Sequence, residues 1–217
     1  SSFMIPQFYL ITPAIDDPLA FRPKLEAVLS TEAISVVHAR FAASSDQDLK
    51  KRATALVALV QEKGAAFIMD CPDDPRIAAR LGLDGVHVSA PGPLLDEAIG
   101  SLKPDRIVGI GGLRARHDAM EAGERDVDYV MFGEPRADGS VPALAQTAER
   151  AQWWAEIFNV PCVAYAADLA SVETLAPTGA EFIALGPWVF DTPDPAETVA
   201  EARRIAKARL LTMAQPG

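Results

Sequence analysis

From residue 83 onward, one arrangement of polar and apolar positions occurs three times. The copies are Leu83-Asp84-Gly85-Val86-His87-Val88-Ser89, Val127-Asp128-Tyr129-Val130-Met131-Phe132-Gly133-Glu134-Pro135 and Ala180-Glu181-Phe182-Ile183-Ala184-Leu185-Gly186-Pro187. Each runs from a helix end through an acidic residue into a short apolar stretch, and closes in a turn of Gly, Pro or Ser. An acid followed by such a stretch reads as a strand that enters from solvent and is then buried on both faces, as parallel strands are. Three unrelated buried strands would give the same reading. Helical stretches separate the copies at similar spacing, which favours a βα barrel.

The remaining pattern alternates in the same way. Phe8-Tyr9-Leu10-Ile11-Thr12 is a β-rich run ended by Pro13. Residues 18–30 carry Phe21, Leu25, Val28 and Leu29 at helical spacing, and Pro23 marks the expected first turn. Residues 34–41 form a second strand with His38 and Arg40 on one face. Residues 46–63 form a helix with Asp46 as N-cap and Gly64 as the stop. A strand at 66–70, a short helix at 74–81 and the first copy follow. Helices at 94–102 and 114–122 flank a strand at 106–110, which runs into Gly111-Gly112. After the second copy come a polar loop at 134–141, a helix at 142–158 with Trp153 and Trp154, a strand at 162–165 and a helix at 168–175. The third copy precedes a closing helix at 197–211 and a disordered tail. Ser1-Ser2-Phe3 reads as a remnant foreign to the chain.

Eight strands alternating with eight helices predict a single-domain (β/α)8 TIM barrel over residues 1–217. An open doubly wound sheet is the competitor, because alternation does not prove closure. The first βα turn, Thr12-Pro13-Ala14-Ile15, lacks the glycine fingerprint of a dinucleotide fold.

Of the 217 residues, 49% are hydrophobic. No apolar run reaches the roughly 18 residues of a membrane span, and the start shows no secretory leader pattern. The formal net charge of −10 without a basic block makes nucleic acid an unexpected partner. An anionic substrate needs a local cationic pocket working against that field. Cys71 and Cys162 form no metal-ligand spacing, and a cytoplasmic location is the default expectation. The oligomeric state stays open.

These segments resemble a known family. Phe8-Tyr9-Leu10-Ile11-Thr12, Asp84-Gly85-Val86-His87 and Val127-Asp128-Tyr129-Val130-Met131-Phe132-Gly133 are similar to the opening strand, the DGVH segment and the ADYVGFGP segment of thiamine phosphate synthases and their thiazole tautomerase relatives, in the same order over residues 8–190. The resemblance implies a (β/α)8 barrel. It also implies a transferase that joins a pyrimidine diphosphate to a thiazole phosphate and releases pyrophosphate. Mg²⁺ and cationic side chains would neutralise the leaving group, and glycine-rich loops would hold the other phosphate.

The family's motifs carry over residue by residue, with gaps. Arg40 stands at the motif arginine and His38 replaces a glutamine. Ala42 stands where a lysine is expected. Asp70 matches a Mg²⁺-binding aspartate and is the implied metal ligand and catalytic partner of Arg40. The second such aspartate has no counterpart, Asp96 lying too far along. Gly111 and Gly112 replace a Ser-Thr-His segment and suit an anion, with Arg114 and Arg116 adjacent. Gly133 and Gly186 are the further expected substrate-binding glycines. Ala166-Ala167-Asp168 replaces the phosphate-cradling Gly-Gly, and Trp188 is expected near the mouth. Cys71 reads as inert and His87 as structural. The expected ligand is a small phosphorylated molecule. Two alternatives remain: a repurposed barrel that binds a thiazole or small anion without catalysis, and a tautomerase, for which His117 lies one helical turn beyond the family's histidine position.

Overall fold

The computed structural model describes residues 4–42 and 45–214. Within them the strands β1 (Gln7–Ile15), β2 (Ile34–Phe41), β3 (Ala66–Asp70), β4 (Gly85–Val88), β5 (Ile107–Ile110), β6 (Tyr129–Phe132), β7 (Cys162–Ala166) and β8 (Phe182–Leu185) are all parallel and close into a barrel, β8 pairing with β1. Closure removes the open-sheet alternative. The helices α1 (Pro18–Leu29), α2 (Asp46–Glu62), α3 (Arg76–Arg80), α4 (Pro93–Leu102), α5 (Arg116–Gly123), α6 (Leu144–Ile157), α7 (Ser171–Leu175) and α8 (Pro195–Ala214) follow the strands in turn.

Most boundaries shift by a residue or a few, and four of the differences have a plain local reason. β1 runs through Pro13 to Ile15, because its pairing with β2 slips between Ile11 and Ala14. Proline is tolerated at such an irregularity, where no ladder N–H is needed. The first helix starts at Pro18 rather than Pro23, capped by Asp17, whose Oδ1 accepts from Ala20 N at 3.1 Å. The cap of α2 is Ser45, whose Oγ accepts from Asp48 N at 3.1 Å, and Asp46 lies in the first turn. The last helix continues to Ala214, through residues 212–214 that were expected to belong to the tail, whose remainder is 215–217. That stretch and Ser1-Ser2-Phe3 lie outside the described residues.

The apolar runs divide by alternation into two cores. Phe8, Leu10, Val130, Phe132, Ala164, Ile183 and Leu185 point outward against the helices. Tyr9, Ile11, Ile68, Tyr129, Met131, Val163, Tyr165 and Ala184 fill the barrel. Gly109 makes room for this filling: a Cβ there would sit 1.9 Å from the Tyr129 ring.

The acid of each repeated segment has a structural task. Asp84 Oδ2 accepts from Phe67 N at 2.7 Å, Asp128 Oδ2 from Val108 N at 2.8 Å, and Glu181 Oε2 from Cys162 N at 2.8 Å. Each carboxylate therefore takes an N–H at the start of the preceding strand, which the ladder leaves unmet. Lys103 Nζ also reaches Asp128 Oδ1 at 2.6 Å. These acids lie at the N-terminal face of the barrel, where conservation of structure rather than chemistry is expected.

Candidate active site

The opposite face, at the carboxyl ends of the strands, opens into a cavity of about 880 Å³. Arg40 and Asp70, from the ends of β2 and β3, line it together, Arg40 Nε lying 3.4 Å from Asp70 Oδ2. His38 Nε2 reaches Asp70 Oδ1 at 2.5 Å. Burial alone would raise the Asp70 carboxyl. The hydrogen bond from His38, with the Arg40 guanidinium nearby, outweighs it and holds Asp70 below its ordinary range.

Behind Asp70 a string of hydrogen bonds crosses the barrel interior. Tyr9 Oη lies 2.9 Å from His38 Nδ1 and 2.7 Å from Tyr129 Oη, and Tyr129 Oη lies 2.6 Å from His87 Nδ1. One assignment satisfies every partner. His38 Nε2–H donates to Asp70, Tyr9 donates to His38, Tyr129 donates to Tyr9, and His87 Nδ1–H donates to Tyr129. His87 Nε2 then keeps its lone pair toward Gly111, where a Cβ would stand 3.0 Å from it. Burial drives the His87 imidazole down to about 3 and raises both tyrosines, so these groups remain neutral.

The glycines divide. Gly112 and Gly133 line the cavity and need their positive φ of 69° and 91°. Gly112 also approaches Ser89 O so closely that a Cβ would lie 2.2 Å away. Gly111 and Gly186 stand behind the lining. Gly186 leaves space for the Tyr165 hydroxyl, 2.1 Å from where its Cβ would be. Trp188 is not in the mouth: its Nε1 donates to Ala166 O at 3.0 Å while the ring packs on the outer core. Arg116 leaves the site too, pairing with Glu149 and stacking over Trp153. Asp96 pairs with Arg125, and Asp168 Oδ1 takes Ser171 N and Oγ at 2.9 and 2.6 Å. Burial pushes the Cys71 thiol up to about 12, in keeping with an inert residue. His117 is exposed and pairs with Glu121 on the outer face of α5.

Several lining residues escaped the sequence reading. His87 lines the cavity although it reads as structural. Its period-2 offset from Val86 and Val88 was the available signal. Glu134, in the polar loop after β6, lines the cavity with Oε1 accepting from Gly112 N at 2.7 Å. Arg136 and Arg150 complete a cationic wall with Arg40 and with Arg114, which the sequence already placed beside the glycines. The first two turns of α6 supply Gln146, Thr147 and Arg150, and no side chain caps that helix.

Among the described residues, no group of three or more His, Cys, Asp or Glu side chains is placed to hold a metal ion. Of the two carboxylates that line the cavity, Glu134 is turned to Gly112 N, which leaves Asp70 as the donor at the mouth. It fits Mg²⁺ only where phosphate oxygens complete the coordination.

A closed barrel of parallel strands with a cavity at their carboxyl ends defines a class: (β/α)8 TIM barrels. Among solved structures, a thiamine phosphate pyrophosphorylase from Pyrococcus furiosus superposes with a TM-score of 0.74 at 21% identity, covering 94% of this chain and 96% of that one. A 3-hexulose-6-phosphate synthase shares the fold at a TM-score of 0.71 and 15% identity, over 92% of this chain and 99% of that one. The thiamine monophosphate synthase family model matches residues 8–187. The thiamine-phosphate synthase of Rhodospirillum centenum is 38% identical over 93% of this chain and 98% of its own, and that of Hyphomonas neptunium 32% over 89% and 90%. The chain belongs to the thiamine monophosphate synthase family.

Proposed function

We infer that this barrel is a thiamine phosphate synthase, coupling a pyrimidine diphosphate to a thiazole phosphate with release of pyrophosphate. The observation that carries the reading is the cavity's charge. Arg40, Arg114, Arg136 and Arg150 converge there in a chain of net charge −10. This is the local cationic pocket that an anionic substrate requires.

The chain's own residues supply positioning and charge stabilisation. Arg40, held by Asp70, presents its guanidinium to one phosphate group. The uncapped N-terminus of α6, with Arg150 in its second turn and Arg136 and Arg114 nearby, suits the other. That wall supports phosphate binding although Ala166-Ala167-Asp168 replaces the expected glycine cradle. Asp70 would hold Mg²⁺ together with the diphosphate oxygens, and the ion would neutralise the departing pyrophosphate.

Purified protein supplied with Mg²⁺ and both substrates is expected to release pyrophosphate, and no release sinks the reading. Arg40→Ala is expected to lower kcat/KM by roughly 10²–10³, the usual effect of losing one anion-stabilising donor. A second reading, a barrel that binds a small anion without catalysis, is favoured by the single metal-type carboxylate and by Asp168 at the β7 end. It predicts calorimetric binding of thiazole phosphate or pyrophosphate without turnover.

A further inference from the structure

Glu134 is a polar side chain whose environment is incomplete. Its Oε1 is held by Gly112 N at 2.7 Å. Its Oε2 is shielded from solvent and has no hydrogen-bond partner. Leaving a buried polar atom unmet costs on the order of 1–3 kcal/mol, so a purely structural brace for Gly112 would be better served by a side chain with one polar atom. Burial raises the carboxyl above its ordinary range, with the N–H groups of Gly112 and of Glu134 itself only partly offsetting it; together with the unmet Oε2 this favours a protonated acid that carries both a donor and an acceptor.

The surroundings narrow what the missing partner is. β6 lies four strands from β2 in the closed ring, so Glu134 faces the mouth across from Arg40. Gly111 brings a second polar atom to the same spot: its absent Cβ would stand 3.1 Å from Glu134 Oε1 and 3.0 Å from His87 Nε2. In the assignment above that nitrogen is an acceptor. The spot therefore offers one donor, Oε2–H, beside two acceptors. A phosphate oxygen can only accept and would satisfy one of the three. A nitrogen heterocycle with an amino group next to a ring nitrogen satisfies the donor and one or both acceptors at once.

We propose that Glu134 is the specificity-determining residue of this site, its Oε2 pairing with the ring nitrogen of a bound aminoheterocycle whose amino group points to Oε1 and His87 Nε2. The broad terminal torsion of glutamate allows the carboxyl to turn its edge to the ring. The proposal rests on the reading that the cavity takes a phosphorylated nitrogen heterocycle, and it assigns the ring end of that ligand to the wall opposite Arg40.

The test is calorimetry on the full chain with two probes, 4-amino-5-(hydroxymethyl)pyrimidine, which has no phosphate, and inorganic pyrophosphate. Glu134→Ala is expected to weaken the aminopyrimidine at least about tenfold and to leave pyrophosphate unchanged. Glu134→Gln, whose amide presents the same donor and acceptor, is expected to stay within about threefold of the parent for both. Thermal melting of Glu134→Ala at or above the parent midpoint shows that the loss is not unfolding. Equal aminopyrimidine binding by parent and Glu134→Ala overturns the proposal. So does a parent protein that binds pyrophosphate and not the aminopyrimidine. If ring binding depends on Glu134 while no pyrophosphate is released in the coupling assay, the transferase reading falls and this one stands.

Discussion

His87 shows how much one residue's environment decides. Alternation along β4 turns it inward, where Tyr129 takes its Nδ1–H and burial holds it neutral. Its folded-state value of about 3 lies below the ordinary value of 6.5, so the unfolded chain takes up the proton first. The stability it contributes is complete above about pH 6.5 and falls as the pH drops from there toward 3. The slope approaches about 1.4 kcal/mol per pH unit. Urea midpoints measured between pH 7 and pH 4 are expected to fall more steeply for the parent than for His87→Phe, and parallel curves would contradict this. Gly109 is the matching test of space. Gly109→Ala is expected to cost about 3 kcal/mol or more by denaturant unfolding, because the added methyl overlaps the Tyr129 ring. The cost should shrink in a Gly109→Ala, Tyr129→Leu double variant, since residues in contact do not act additively. At this scale the gathering of Arg40, Asp70 and His38 at the mouth was legible, because a motif position and an alternating strand identify each. Glu134 and His87 were not. Their significance lies in an unmet oxygen and a shared neighbour, Gly111, and neither exists until the strands close.

Elements were more legible than residues. The apolar runs of β4, β6 and β8 are short, bounded by acids and turns, and have one stable use in a parallel sheet. What the pattern could not convey is the acid's purpose. Asp84, Asp128 and Glu181 look like solvent-facing strand leaders, yet each accepts an N–H from the preceding strand. Asp128→Ala is expected to lower stability by about 1–3 kcal/mol, because Val108 N–H and Lys103 lose their partner. kcat is expected to hold, since the site lies at the other end of the barrel. A loss of activity without a change in melting would overturn that division of labour. Boundaries failed where proline was read as a marker, a strand stop at Pro13 and a helix start at Pro23. Pro13 sits inside β1 at a pairing irregularity, and Pro23 sits within α1 on its exposed side.

For the molecule as a whole, charge and cavity pull in opposite directions. The surface field repels anions while the four arginines of the mouth attract them. Salt acts on both, but over different distances. Long-range repulsion is screened first, the Debye length being about 10 Å at 0.1 M. Association of pyrophosphate is therefore expected to be less slowed by added salt than for a cationic protein, while its dissociation quickens as the arginine contacts weaken. Stopped-flow traces at 20 and 200 mM salt measure both rates, and a steep fall in the association rate would count against this balance. Closure was legible only by inference, because alternation of helix and strand fits open and closed sheets equally. The β8 to β1 pairing settles it.

The carboxylates at the barrel base tie β4 back to β3, β6 to β5 and β8 to β7, so the ring is assembled from two-strand modules with plainer seams between them. A chain severed in the exposed turn at Asp138 and Gly139 keeps all three ties within its fragments, and such halves should reassemble when mixed. A chain severed beside Arg125 parts Val108 from Asp128 and should reassemble poorly.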